Sequence, residues 1–489
     1  FCSLVQAGRP GAAMGLATSR GIAADSSATA SQLERLIVPI ETCEAEQSAA
    51  LGAIRPACAD VSGGRTAFGM FLKSCSARQL LSVIARCVGG GLSGWRGETL
   101  LVLRSIPDDD EDEAGAWATD ILRGFILASS EGDLPTLALL LGGYLLTPLR
   151  KKDPAKVRPI GSGEPLVKLV DGAWLRFFRQ EPLLRRRLRP HQYACNVKSG
   201  LECLGHELVL DIAASPGNVV LKRDAENFFN KLRREFLIAA AFALNHAFGR
   251  YVQSKLQCAT EYTWFTVTAP EGFRDFRTLT GTVQGGSLGF LLGSLATADP
   301  LRAWAAIMRD ACASSVVGAE SFSDLEADTT FDAGVLSAAR QWRDANAPEL
   351  RRFSELHSAL GTSPSISLRA YADDQTTHIH SGGLELAESL QNAVFAPTGT
   401  VFGIKREVHA PTANLAEGMM IAGQPLWYAP ALANDDDPAA ELWYGIGPDD
   451  WLREQCLVPA KQALAASLAG LQEVWDNRVR GRPTLVCIL

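Results

Sequence analysis

The chain has 489 residues, long enough for two or three ordinary domains, and 47% hydrophobic against 21% charged residues predicts a buried core. No run reaches the roughly 18 uninterrupted apolar residues of a membrane span, and the eleven cysteines contain no CxxC pair that would mark a zinc knuckle. Net charge is −7, yet between Arg150 and Lys198 there are 13 Lys and Arg against 4 Asp and Glu, so a basic segment suited to a polyanion sits inside an acidic whole.

Residues 1–30 are rich in Ala, Gly and Ser without periodicity, which predicts disorder or a fragment edge. The chain starts at Phe1 rather than Met, which leaves targeting undecidable from the N-terminus; the odd, irregular cysteine set predicts reduced thiols and an intracellular protein, nuclear or cytoplasmic. Residues 31–144 predict a helical N-terminal extension of unknown role, and nothing in 31–105 carries chemistry. Its helices are expected in SARQLLSVIARCV (76–88), WATDILRGFILAS (117–129) and LPTLALLLGGYL (134–145), and the acidic run 108–113 reads as a solvated loop. NVVLKRDA (218–225) reads as a buried strand. One long helix is expected over 234–256, and another over 287–308, interrupted at Pro300. Residues 318–362 are acidic, then helical, and read as an insertion between functional segments. ISLRAYADDQTTHIH (366–380) alternates around an acidic centre and predicts a strand–turn–strand hairpin. An amphipathic helix is expected over 457–475.

Two acidic sites end apolar strands. Asp224 closes VVLKRD, and Asp373 and Asp374 sit at the turn of the predicted hairpin. An Asp-Asp pair in a turn ordinarily reflects local hydrogen bonding. Carboxylates that converge from separate strands, however, repel unless a cation neutralises them, and Mg²⁺ bridges carboxylates to phosphates with oxygen ligands. Two such ions can activate an attacking oxygen and stabilise a leaving one.

Six segments in order resemble the reverse transcriptases of non-LTR retrotransposons over about 145–430. These are RPIGSGEPLVKLV from Arg158, QYACNVKSGLECLGHEL from Gln192, LKRDAENFFNKLRREF from Leu221, GTVQGGSLGFLLGSLA from Gly281, the YADD of Tyr371 to Asp374, and PTGTVFGIKREV from Pro397. The resemblance implies an α+β, right-hand polymerase with fingers and palm over 145–430, a palm with an antiparallel sheet, and a partial thumb over 431–489. It implies RNA-directed DNA synthesis from dNTPs on an RNA template with a DNA primer, using two Mg²⁺ ions, with Mn²⁺ as a substitute. Asp224, Asp373 and Asp374, with the carbonyl of Ala225, would hold the metals. Lys152 and Arg158 would clamp the triphosphate. Gln284, Gly285 and Tyr371 would lie at the nucleotide, and Phe229 would exclude a ribose 2′-hydroxyl. Lys405 would give a proton to the leaving pyrophosphate.

Each of these residues also has a plainer role open to it: Phe229 as core beside Phe228, Arg158 as a surface charge on a strand, Lys405 as part of a solvated turn. Gln192 and His206 read as structural, and His378 and His380, two apart on one strand face, are too few for a metal site. The run RRRLR (185–189) is a solvated face or a phosphate-backbone contact. Gly286, Ser287 and Phe290 stand where the family has Asp, Pro and Pro, and Phe228 where Ala is usual. The alternatives are therefore a catalytically inactive nucleic-acid-binding protein on the same architecture and an RNA-dependent RNA polymerase, against which Phe229 argues.

Overall fold

A computed structural model of the chain describes most of residues 21–410 and three two-residue strands between 420 and 428. The larger segments outside that description before residue 410 are 38–43, 54–62, 83–90, 94–99, 101–112, 132–141, 152–155, 268–271 and 360–365. The fold is α+β. In chain order come α1 (Ser27–Leu36), α2 (Glu44–Gly52), α3 (Gly63–Lys73), α4 (Ala77–Leu81), α5 (Glu113–Glu131), β1 (Gly143–Arg150), β2 (Val157–Ser162), α6 (Pro165–Gln180), α7 (Pro182–Leu188), α8 (Gly200–Ala214) and β3 (Asn218–Ala225). They continue with α9 (Phe228–Lys231), α10 (Arg234–Leu244), α11 (His246–Leu256), β4 (Thr260–Phe265), β5 (Phe273–Thr278), α12 (Gly289–Cys312), α13 (Phe322–Ala327), α14 (Ala333–Ala345) and α15 (Ala347–Ala359). The last are β6 (Ser367–Tyr371), β7 (Asp374–His380), α16 (Leu384–Phe395), β8 (Phe402–Ala410), β9 (Met420–Ile421), β10 (Gln424–Pro425) and β11 (Trp427–Tyr428).

Two sheets organise these elements. A five-stranded sheet has the order β11-β8-β3-β7-β6, with β3 antiparallel to both β7 and β8. A four-stranded sheet has the order β2-β1-β4-β5, with β1 and β4 parallel. The five-stranded sheet buries Val219, Leu221, Leu368, Ala370 and Ile379 in a core shared with α12 and α16. Trp304 of α12 donates from its indole nitrogen to the Ala387 carbonyl of α16 at 3.0 Å, so the helical layer is stitched together by a satisfied polar group.

NVVLKRDA is β3 from end to end, the expected hairpin is β6–β7, and α5 contains the helix expected over 117–129. Several expectations are corrected. Gly143, Tyr144 and Leu145 are strand, not helix, because β1 pairs with β2 on one side and β4 on the other. The helix expected over 234–256 is two, α10 and α11. Asn245 adopts an extended backbone and its side chain accepts the Phe248 N–H at 3.0 Å, an N-cap that starts a new helix. Conversely, α12 runs through Pro300: the proline removes one rung, while burial along nearly the whole helix holds the rest. Residues 21–30 are ordered: Ala23 donates to the Pro148 carbonyl at 2.8 Å and Ser26 caps α1. The segment expected as an insertion packs into the main core where it is described, through Phe322, Leu325, Val335, Ala339, Trp342, Leu350 and Phe353. Helices α2 to α5 share that core too, with Phe68 stacked on Trp174 at 3.6 Å, whereas α1 packs Ala30 and Leu33 against Tyr144, Leu146 and Val157 of the four-stranded sheet. The acidic loop of 108–112 and everything expected of 431–489, thumb and amphipathic helix included, lie outside the described residues.

Among the described residues no helix is long and apolar enough to cross a membrane, and none of their cysteines forms a disulfide with another.

Candidate active site

Strand alternation sets the first carboxylate. Arg223 points into the helical layer, where it donates to Gln391 Oε1 at 3.0 Å and Asn392 Oδ1 at 2.8 Å and lies 4.0 Å over the Phe402 ring. Burial pushes its pKa down to about 10, and the Glu388 carboxylate opposes that. Asp224, the next residue, must therefore face the opposite side of the sheet, and it is exposed. Its direct partner across the β3–β7 ladder is Asp374. Tyr371 and Asp374 close a two-residue loop of Ala372 and Asp373, and Ala372 has φ +56. A positive φ at the first central residue is a tight-hairpin device usually given to Gly, and costs an L-residue roughly 1–2 kcal/mol. Asp373 is thus carried at the tip of the turn beside Asp224, and the Ala225 N–H donates to the Asp373 carbonyl at 3.4 Å.

These residues floor a cleft of about 800 Å³. Ala225, Phe228, Phe229, Gln284 and Phe290 line it, and its cations include Lys151 just after β1, Lys156 just before β2 and Arg158 on β2, with Arg35 and Lys231 beside them. Lys156 and Arg158 are both exposed and two residues apart, so the pleat of β2 puts them on one face. Phe228 is buried in the core while Phe229 meets the cleft edge-on to Phe290 at 5.7 Å. Gly285 and Tyr371 are not among the lining residues. Gly285 instead lies against β2 with φ +94, where a Cβ would come within 2.8 Å of Ile160, while Gly161 donates to the Gln284 carbonyl at 2.8 Å. Lys152 lies outside the described residues, and Lys405 is on β8 with its side chain outside them.

The N-terminal segment expected to carry no chemistry supplies a wall of the cleft. Gln32, Arg35 and Leu36 of α1 line it. The helix is held there by Ala30 and Leu33, buried against Tyr144, Leu146 and Val157, and by Asn227, in the left-handed conformation just after β3, which donates to the Leu36 carbonyl at 2.6 Å. Lys151, Lys156 and α1 are the site residues that sequence reasoning passes over or leaves secondary. The basic segment around them is a signal for the lysines; no local signal exists for α1.

Electrostatically the site is strained in the way a cation would relieve. Burial, then the Asp374 charge, and then Asp224 raise Asp373 from 3.8 to about 6, against Arg158 and a backbone hydrogen bond. Lys151 is lowered by burial and by Arg158, with Asp224 and Asp373 opposing. An Asp373 carboxyl disfavoured as an anion by burial and by two neighbouring carboxylates belongs to a donor set that fits a divalent ion. Among the described residues no group of three or more His, Cys, Asp or Glu closes a metal cage by itself. A divalent ion here would complete its shell with water and phosphate oxygens, as Mg²⁺ commonly does.

The raised carboxyl has a stability consequence. Below about pH 4 Asp373 is protonated whether folded or unfolded, so it costs nothing; between about 4 and 6 the penalty grows; above 6 it is fully present. In EDTA, Asp373→Asn should therefore stabilise the protein at pH 7 by on the order of 1–2 kcal/mol and leave it unchanged at pH 4. Thermal unfolding at the two pH values measures this, and equal melting temperatures at pH 7 would mean that the carboxylates do not crowd.

No protein-family model matches the chain, and no curated protein matches it.

Proposed function

We propose that this chain is the polymerase part of a reverse transcriptase, with a right-hand architecture and RNA-directed DNA synthesis as its reaction. One observation carries the reading: Asp224 pairs with Asp374 across β3 and β7, with Asp373 in the adjoining turn, on the floor of a cleft that Lys151, Lys156 and Arg158 also line. Converging carboxylates beside fixed cations are what nucleotidyl transfer requires. In this reading the five-stranded sheet with α12 and α16 is the palm, and β1 and β2 with α6 to α8 belong to the fingers.

Asp224, Asp373 and Asp374, with the Ala225 carbonyl, would hold two Mg²⁺ ions or their Mn²⁺ substitutes. When bound, the ions would supply Lewis acidity to the primer 3′-hydroxyl and to the phosphate oxygens. Lys151, Lys156 and Arg158 orient the triphosphate through charge-assisted hydrogen bonds, joined by Lys152. Lys405 is the proposed proton donor to pyrophosphate. Gln284 contacts the nucleotide at the cleft wall, with Gly285 and Tyr371 supporting from behind it. Phe229, at the cleft surface between Phe228 and Phe290, packs against the sugar.

The test is primer extension on an RNA template with Mg²⁺ and either dNTPs or NTPs, beside Asp373→Asn. Extension with dNTPs that the variant loses supports the reading; extension with NTPs alone would make the protein an RNA polymerase. Phe229→Val should raise NTP use relative to dNTP use by at least about 10-fold, read as the ratio of kcat/KM values, because the ring no longer occupies the space of a 2′-hydroxyl. An unchanged ratio would remove Phe229 from sugar selection.

A catalytically silent nucleic-acid-binding protein is favoured by a different observation. Phe290 is 54% exposed at the cleft, where the resembling family has Pro, and a large ring there narrows the space open to substrate. Salt-sensitive RNA binding without extension is the result that would select it.

A further inference from the structure

We propose that Gln192 is a positioning residue that clamps the Ala372–Asp373 turn and thereby aims the Asp373 carboxylate; the inference rests on the catalytic role proposed for Asp373. Gln192 is fully buried, 180 residues from the turn in sequence. Its Oε1 accepts the Ala372 N–H at 3.0 Å, and the N–H groups of Tyr193 and Ala194, each at 3.1 Å. Its Nε2 donates to Thr297 Oγ1 on α12 at 2.8 Å. Thr297 in turn donates its hydroxyl proton to the Ser294 carbonyl at 3.0 Å, so toward Gln192 its oxygen acts as an acceptor. Three donors therefore face one end of the amide and an acceptor faces the other, which leaves a single orientation of the side chain.

The backbone around Gln192 reinforces this. Ala370 donates to the His191 carbonyl at 2.7 Å and accepts from the Tyr193 N–H at 2.9 Å, so the segment lies beside β6 as a further bridge. Gln192 is thus fixed to the strand leading into the turn, and through Thr297 to the helix beneath the sheet. From there it grips the one residue of the loop with a positive φ. A side chain other than glycine in that conformation needs an external hold. Asp373 directly follows Ala372, so a change in the Ala372 backbone would re-aim the carboxylate while leaving Lys151, Lys156 and Arg158 where they are.

A purely structural role predicts a general loss; a positioning role predicts a specific one. Gln192→Ala should lower kcat for primer extension by about 100-fold, the scale of an ångström-sized misplacement, with the KM for dNTP within about 2-fold. Adding Ala372→Gly to that variant should restore at least about 3-fold of the loss, since glycine holds a positive φ without a clamp. Thr297→Val, which leaves Oε1 and its three donors in place, should cost less than about 10-fold and covers the case in which Gln192→Ala fails to fold. Hydrogen–deuterium exchange of the peptide 368–376 should rise in Gln192→Ala and far less in Thr297→Val. Unchanged kcat, or loss in KM alone, would overturn the clamp in an active enzyme. If the parent protein extends no primer, the reverse-transcriptase reading falls, and exchange alone decides: increased exchange upholds the clamp, and unchanged exchange removes it.

Discussion

Asp373→Asn is expected to reduce primer extension by about 1,000-fold or more while leaving the protein folded and, without divalent ions, more stable above pH 6. The two halves of that result have one cause. The Asp373 carboxyl sits where burial and the charges of Asp374 and Asp224 disfavour its ionised form. In the apo protein, removing the charge removes a penalty. In the proposed enzyme, the same charge is the ligand that compensates several kcal/mol of developing phosphate charge, and several kcal/mol is about three powers of ten in rate. Steady-state extension and thermal melting of one preparation measure both. A variant that kept its activity would dismiss Asp373 as a metal ligand, whatever its stability.

The second large effect is expected far from the cleft. Asp171 of α6 receives Lys255 at 2.7 and 2.8 Å and the Tyr251 hydroxyl at 2.8 Å, both from α11, and Asp171 and Lys255 have side chains only 2% and 7% exposed. Burial alone would lower Lys255; the Asp171 carboxylate outweighs it and holds the ammonium above its ordinary value of 10.5. The stability this contributes is therefore complete at neutral pH and is lost only as pH rises above about 10.5. Asp171→Ala leaves an ammonium buried without its counter-charge, a loss of roughly 3–5 kcal/mol, equivalent to a fall of roughly 3–5 °C in melting temperature for a chain of 489 residues. Replacing both partners, Asp171→Leu with Lys255→Met, should recover most of it, because the cost lies in the orphaned charge and not in the absence of the pair. If the single variant melts within a degree or two of the parent, the pair is solvated and the argument fails. The same cluster touches Tyr144 of β1, so its loss should also loosen the sheet that presents Lys151 and Arg158.

Much of the site is legible in the sequence because its signals are local. NVVLKRDA is apolar and β-branched up to a charged end, and it is a strand over those residues. YADD sits between two alternating segments, and it is a hairpin turn, although Asp374 already belongs to β7 and only Asp373 of the two sits in the loop. Phe229 and Arg158, each with a plainer role open to it, both line the cleft; Arg158 does so from a strand.

Other features depend on partners that no local pattern names. Leu145 and its neighbours are helical by composition and become strand because two other strands flank them. Residues 318–362 read in sequence as an insertion between functional segments, and the aromatic and aliphatic side chains of 322–353 fill the core against α12 and α16. Helix α1 carries no motif, yet the packing of Ala30 and Leu33 on Tyr144, Leu146 and Val157, with the hydrogen bond from Asn227, brings Gln32 and Arg35 to the cleft. Gln192 reads from sequence as a structural residue, and only its hydrogen bonds to Ala372 and Thr297 connect it to the aim of Asp373. Sequence by itself determined which residues could be strand ends, turns and charges, since propensity and periodicity act over a few residues. Which of those ends meet, and what holds them, was decided by burial and by the pairing of polar groups across long sequence separations, and those exist only once the chain is packed.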